Sequence, residues 1–100
     1  MPSRTTSDQN LFYYIYVLES KRDGNRYIGM TQDLRKRFLE HQNGRSRATA
    51  SRRPFELIYY EACRSYQDTK QREQYMKTTE GRRFITKRLR NYFMRNPKLS

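Results

Sequence analysis

The sequence predicts an α/β (α+β) domain: a small three-stranded sheet, mixed or antiparallel, flanked by helices in the order β-β-α-β-α-α. Three observations point there. An unbroken apolar and aromatic run, Leu11 to Leu18, is followed within a few residues by the turn signal Asp23-Gly24. Only one helical pattern stands between the second and third strand-like runs, which argues against a doubly wound sheet. The last third of the chain carries apolar residues at helical spacing.

In chain order, residues 1–10 are polar and aperiodic and are expected to form a flexible tail. Leu11 to Leu18 has the length and the Tyr, Ile and Val content of a buried strand. Ser20 to Asn25 makes the turn, and Arg26 to Met30 the second strand of a hairpin. Asp33 can cap a helix from Leu34, because a carboxylate there accepts an otherwise unpaired helix N–H. Leu34, Phe38 and His41 share one face of it, and Asn43-Gly44 stops it. Gly44 to Arg53 is a basic loop ending at Pro54, and Phe55 to Ala62 is a third strand. Ser65 to Asp68 is a capping-box-like start for a second helix, which Gly81 is expected to end. Arg82 to Met94 is expected to be one last helix with Phe84, Ile85, Leu89 and Phe93 inward, closed off by Pro97. A single domain over residues 11–94 follows, with a C-terminal tail at 95–100.

Composition narrows the function. Twenty-two Lys and Arg against ten Asp and Glu give a net charge of +12. That exceeds the magnitude of about 2–8 that keeps a small domain soluble, and such a field concentrates polyanions. The hydrophobic content of 34% allows one small core. The lone Cys63 leaves no intramolecular disulfide partner and no Cys-rich zinc site, and is expected to pack as a small core residue. The start of the chain lacks a signal peptide's apolar segment, and no run is long enough for a membrane span. A cytoplasmic protein without a membrane partner is the consistent expectation.

Candidate chemistry sits on three elements. If the hairpin pairs across Asp23-Gly24, Tyr16 and Tyr27 lie near each other on one face. Two phenols can be core rings, or can move a proton if a cation lowers the ordinary pKa of about 10. Arg37 and His41 are i, i+4 neighbours on the first helix. Guanidinium clamps phosphate, and imidazole orients water or moves a proton. In the second helix, Tyr66, Thr69, Glu73 and Met76 form a stripe in which Glu73 occupies an apolar position. A carboxylate there is either ion-paired to Lys70 or Lys77 or holds a metal. One carboxylate with waters and a substrate phosphate suffices for magnesium.

Tyr14-Ile15-Tyr16, Tyr27-Ile28-Gly29, Arg37, His41 and Glu73, in this order and spacing, resemble the GIY-YIG nuclease family. Tyr14 stands where that family's first glycine would be. Tyr27 follows Tyr16 by eleven residues, Arg37 and His41 follow Tyr27 by ten and fourteen, and Asn91 is a possible match to an asparagine near the family's C-terminal end. The chain looks like a short member similar to the nuclease domain of the excinuclease C subunit. The resemblance implies an endonuclease that hydrolyses phosphodiester bonds in DNA, in repair or recombination, with Mg2+ or Mn2+. It implies that Glu73 holds the ion, that Tyr27 or Tyr16 is or positions the general base, that Arg37 stabilises the transition state, and that His41 orients phosphate or water. Arg45, Arg47, Arg52 and Arg53, with Arg82, Arg83, Lys87 and Arg88, would hold the DNA backbone, branched, flapped or otherwise structured. The alternative is a nucleic-acid-binding module without catalysis, since basic charge and aromatic strands also serve single-strand binders.

Overall fold

A computed structural model describes residues 11–95; the expected N-terminal tail falls outside the described residues, as does the expected C-terminal tail except for Arg95. The expected closure at Pro97 also falls outside them. Three strands, β1 (Tyr13–Ser20), β2 (Arg26–Thr31) and β3 (Phe55–Cys63), form one sheet in the order β2-β1-β3. Both pairings are antiparallel. The helices are α1 (Leu34–Gln42), α2 (Tyr66–Met76), α3 (Thr79–Arg88) and α4 (Arg90–Arg95).

The central place of β1 explains its uninterrupted apolar run, because a strand covered on both faces has no polar side to alternate with. On one face, Ile15, Val17 and Ile28 meet Met76 of α2 and Ile85 of α3, with Phe84, Leu89 and Phe93 packed around them. On the other face, Tyr16, Leu18 and Phe55 meet Leu34 and Phe38 of α1. Between the Val17–Tyr59 and Leu18–Leu57 pairs, Ile58 is the extra residue of a bulge. It lets both Ile58 and Tyr59 reach the α2–α3 core.

The capping signals act as read. Asp33 Oδ1 accepts from Lys36 N at 3.1 Å and Ser65 Oγ from Asp68 N at 3.1 Å. Gly24 in the hairpin turn and Gly44 after α1 both take φ of 75°, which a residue without Cβ reaches at no steric cost. The C-terminal part departs from expectation. Gly81 does not end α2; it lies in the first turn of α3, where the Thr78 hydroxyl caps its N–H. A methyl group there would overlap the Tyr75 carbonyl oxygen and stand 2.8 Å from the Met76 carbonyl carbon. The glycine therefore serves a close approach of α2 and α3 and not a stop. The single helix expected at 82–94 is two, divided at Leu89. Tyr66 is exposed and not buried in the α2 stripe, its ring packed edge-on against Tyr13. Cys63 is a half-buried free thiol exchanging hydrogen bonds with the Ser65 backbone, and not a core residue. Among the described residues no helix is long and apolar enough to cross a membrane.

Candidate active site

The register of the hairpin places the phenols. Tyr16 faces Gly29 directly across the β1–β2 ladder, and Leu18 faces Tyr27. Tyr16 and Tyr27 are thus diagonal neighbours on the α1 face, their ring centroids 6.4 Å apart. Gly29 is required by space and not by backbone angle. A methyl group there would overlap the Tyr16 hydroxyl and stand 2.5 Å from its Cζ. The glycine lets the Tyr16 ring lie across β2.

From α1, Arg37 and His41 reach that ring from the same side. Arg37 Nε donates to Tyr16 Oη at 3.4 Å, and Tyr16 Oη and His41 Nε2 are 2.9 Å apart. His41 Nδ1 lies 2.7 Å from Thr49 Oγ1, which itself donates to the Ser46 carbonyl at 3.5 Å. Following the donors along this line assigns the proton to Nδ1, so that Nε2 accepts from the Tyr16 hydroxyl. The guanidinium is fixed from behind by Glu40 at 2.7 Å and Ser46 Oγ at 3.4 Å. Tyr27 and Phe55 close over the imidazole, with ring centroids 5.1 and 6.2 Å from it.

Electrostatics follow from this enclosure. His41 is fully buried beside the positive charge of Arg37, and its pKa is pushed down to about 4, so the ring is neutral at pH 7. Burial raises the Tyr16 pKa against the opposing hydrogen bond from Arg37, so its phenol keeps its proton. Tyr16 is 2% exposed, whereas Tyr27 is half-buried. Of the two, Tyr27 is the more exposed residue.

Glu73 is delivered by α2, which packs on the other face of the sheet. Its carboxylate is buried at 7% exposure, yet it makes both of the ion pairs its sequence neighbours allow, Lys77 at 2.9 Å and Lys70 at 3.6 Å. No direct hydrogen bond joins it to the phenols, but its negative charge acts on Tyr16 and helps raise that pKa. Among the described residues no three His, Cys, Asp or Glu side chains gather as a metal cage. Glu73 is a buried carboxylate whose charge acts on Tyr16, whereas Glu40, the carboxylate next to Arg37, is taken up by that guanidinium. One carboxylate does fit a cation that keeps most of its shell as water and substrate phosphate.

The basic residues divide. Arg45 and Arg47 are exposed in the loop after α1. Arg52 is held in the fold: its Nε binds Asp23 at 3.0 Å and its Nη2 the Arg26 carbonyl at 3.5 Å. Arg53 donates to the Ala50 carbonyl at 2.7 Å. Arg82, Arg83, Lys87 and Arg88 are exposed on α3, and the first two line a cleft with Arg26 and the hairpin turn. Asn91 is exposed on α4, whose Tyr92 donates to Glu19 and Glu56. Sequence reasoning missed Glu40, Ser46 and Thr49. The i, i+3 spacing of Arg37 and Glu40 could have suggested the first; the other two sit in a loop without periodicity, where nothing local marks them.

Comparison with known proteins bears on the family of the chain. The sequence profile of the GIY-YIG catalytic domain matches residues 12–88. A UPF0213 protein of Bacillus pumilus is 40% identical over 67 residues, which cover 66% of this chain and 67% of that one. A UPF0213 protein of Staphylococcus saprophyticus is 37% identical over 67 residues, 66% of this chain and 80% of its own. One from Streptococcus pneumoniae is 40% identical over 65 residues, 64% and 65% of the two chains. No solved structure matched. The matched stretch runs from before the first tyrosine motif to beyond Glu73, and on that ground the chain belongs to the GIY-YIG nuclease family.

Proposed function

We propose that this protein is a metal-dependent endonuclease that hydrolyses phosphodiester bonds in DNA, with a place in repair or recombination. The observation that carries the reading is the hydrogen-bonded line Arg37–Tyr16–His41, together with a buried carboxylate, Glu73, delivered from the helix on the opposite face, whose charge acts on the same phenol. A structural core has no need of a guanidinium aimed at a buried phenol, and burying such groups is costly unless the arrangement has a use.

In this reading Tyr27 takes the proton from the attacking water, or positions the water for it, because it is the more exposed of the two tyrosines. Water adds to phosphorus and gives its proton to Tyr27, which must be in its phenolate form to accept it, or to solvent; the bridging P–O bond breaks and the leaving oxygen takes a proton from solvent. Arg37 stabilises the charge gathering on the non-bridging oxygens. Tyr16 and His41 hold Arg37 and the phenol pair in place through hydrogen bonds already formed, so little reorganisation is left for the reaction. Glu73 would hold one Mg2+ or Mn2+, which when bound neutralises charge on the phosphate. Lys70 and Lys77, each about half exposed, pair with Glu73 and would be free to meet the DNA backbone if that carboxylate held an ion. The exposed Arg45, Arg47, Arg82, Arg83, Lys87 and Arg88 supply the remaining, sequence-independent attraction.

A second reading, a nucleic-acid-binding module without catalysis, is favoured by one observation: both Glu73 oxygens already have lysine partners. A panel of duplex, flapped, branched and single-stranded DNA, titrated with Mg2+ or Mn2+, separates the two. The nuclease reading expects metal-dependent cutting that Arg37→Ala abolishes while the circular dichroism spectrum is unchanged. Binding that ignores chelator, with no cutting in either metal, would favour the second.

A further inference from the structure

The face of the sheet that carries Tyr16 is covered by α1 over one half only. Leu18, Tyr27, Phe55 and Leu57 pack with Leu34 and Phe38. The other half carries Tyr14, with Tyr60 across from Tyr16 and Ala62 across from Tyr14. Tyr60 is 52% exposed, Ala62 is exposed and Tyr14 is half-buried. The Tyr14 and Tyr60 rings stand against each other, centroids 5.9 Å apart and planes at 59°. Two guanidinium groups belong to the segments around this half. Arg37 is at the Tyr16 boundary, and Arg64 stands over the Phe12 ring at 5.3 Å where β1 and β3 reach the sheet end.

Such a surface is costly to leave in water and has the composition of a base-stacking site. Aromatic faces accept any base, and flanking cations accept the phosphates on either side of it. Bases inside a duplex offer no free face, so only an unstacked nucleotide can use the site. The distance also suits the active site. Tyr14 is one side-chain repeat from Tyr16 along β1, about 6.8 Å, so a base resting on Tyr14 belongs to the strand whose phosphate meets Arg37. The net charge of +12 favours a polyanion as the occupant over a second copy of the chain, which would be repelled.

We propose that Tyr14 and Tyr60 form a stacking platform for an unpaired base next to the cleaved phosphate. The substrate class is then DNA with single-stranded or unpaired nucleotides at the scissile position, in preference to continuous duplex. This rests on the nuclease reading for the cleavage but not for the stacking. The Tyr14 that stands in place of the motif's glycine thereby acquires a use.

The test uses the full chain in chelator with a single-stranded oligonucleotide carrying one 2-aminopurine, whose fluorescence falls when it stacks. Quenching on binding is expected. Tyr14→Gly and Tyr60→Ala should each abolish it and weaken single-strand affinity by about 5–150-fold, leaving blunt duplex affinity unchanged. Tyr60→Phe, which keeps the ring, should retain it. With Mg2+, both ring-deleting variants should also lose the preference for an unpaired over a paired cleavage site. Absence of quenching, or quenching equal in the ring-deleting variants, overturns the platform even if DNA is cut. Quenching as expected without cutting in any metal supports the platform and counts against the nuclease reading alone.

Discussion

Gly29→Ala sets two physical effects against each other. In a strand interior, alanine is intrinsically favoured over glycine by about 0.5–1 kcal/mol, so propensity alone makes the substitution stabilising. Packing reverses the sign. The new Cβ would stand 2.5 Å from Tyr16 Cζ and 3.0 Å from Cε1, where ordinary contact begins near 3.4 Å, and the closest overlap is with the hydroxyl. Tyr16 is 2% exposed, so its ring can yield only by displacing its packed neighbours. Overpacking of this kind costs about 1–3 kcal/mol. If the ring swings away, His41 Nε2 loses its 2.9 Å partner, adding about 1–3 kcal/mol for a buried unsatisfied nitrogen. Against a total stability of about 5–15 kcal/mol for a domain, the loss is visible in urea unfolding followed by circular dichroism. The control is Tyr16→Leu, which removes the far end of the ring. In that background Gly29→Ala should be neutral or stabilising. Equal cost in both backgrounds, or a stabilised single variant, would refute the claim that Gly29 exists to admit the Tyr16 phenol.

Other perturbations address the rest of the site. The His41 pKa of about 4 lies below its unfolded value of 6.5. Above pH 6.5 both states are neutral and this group adds no pH dependence; as pH falls toward 4 only the unfolded chain takes up the proton, so stability drops by about 3 kcal/mol. The urea midpoint of the parent should fall more steeply between pH 7 and 4 than that of His41→Gln, and parallel curves would contradict the burial of a neutral imidazole. Thr49→Val keeps shape but removes the partner of His41 Nδ1; it should lower stability by about 1–3 kcal/mol and slow cleavage, whereas an unaffected variant would show that the line of donors ends at His41. Arg45→Ala with Arg47→Ala should reduce the slope of log affinity for duplex DNA against log salt by about 2 without changing the urea midpoint. Arg52→Ala should do the reverse, because its guanidinium is tied to Asp23 and the Arg26 carbonyl; a pure salt-slope effect there would overturn its structural assignment.

Much of this was legible in the chain because the signals are local. Asp23-Gly24 marks the hairpin, and Asp33 and Ser65 each cap the helix that follows them through their own side chains. The hairpin in turn brings Tyr16 and Tyr27 together, since antiparallel register is set by the turn. Glu73 stood out as a carboxylate at an inward position, and it is inward. What could not be read depends on contacts between distant segments. Gly81 carries the same signal as a helix terminator, yet it serves the approach of α3 to the end of α2. Arg52 reads as one more cation of a basic loop, and only the folded hairpin reveals its carboxylate partner. Thr49 lies eight residues beyond His41 and meets it only because the loop returns over α1.

Glu73 carries the central claim, and Glu73→Gln tests it most directly because it preserves size and removes the charge. Cleavage of flapped and single-stranded DNA should be compared for parent and variant across a Mg2+ or Mn2+ titration, with urea unfolding run alongside. The account predicts cutting by the parent that vanishes in chelator, and at least a hundredfold loss, about 3 kcal/mol, in a folded Glu73→Gln protein at every metal concentration. A folded variant that cuts as fast as the parent would contradict it and leave Glu73 as a partner for Lys70 and Lys77 only.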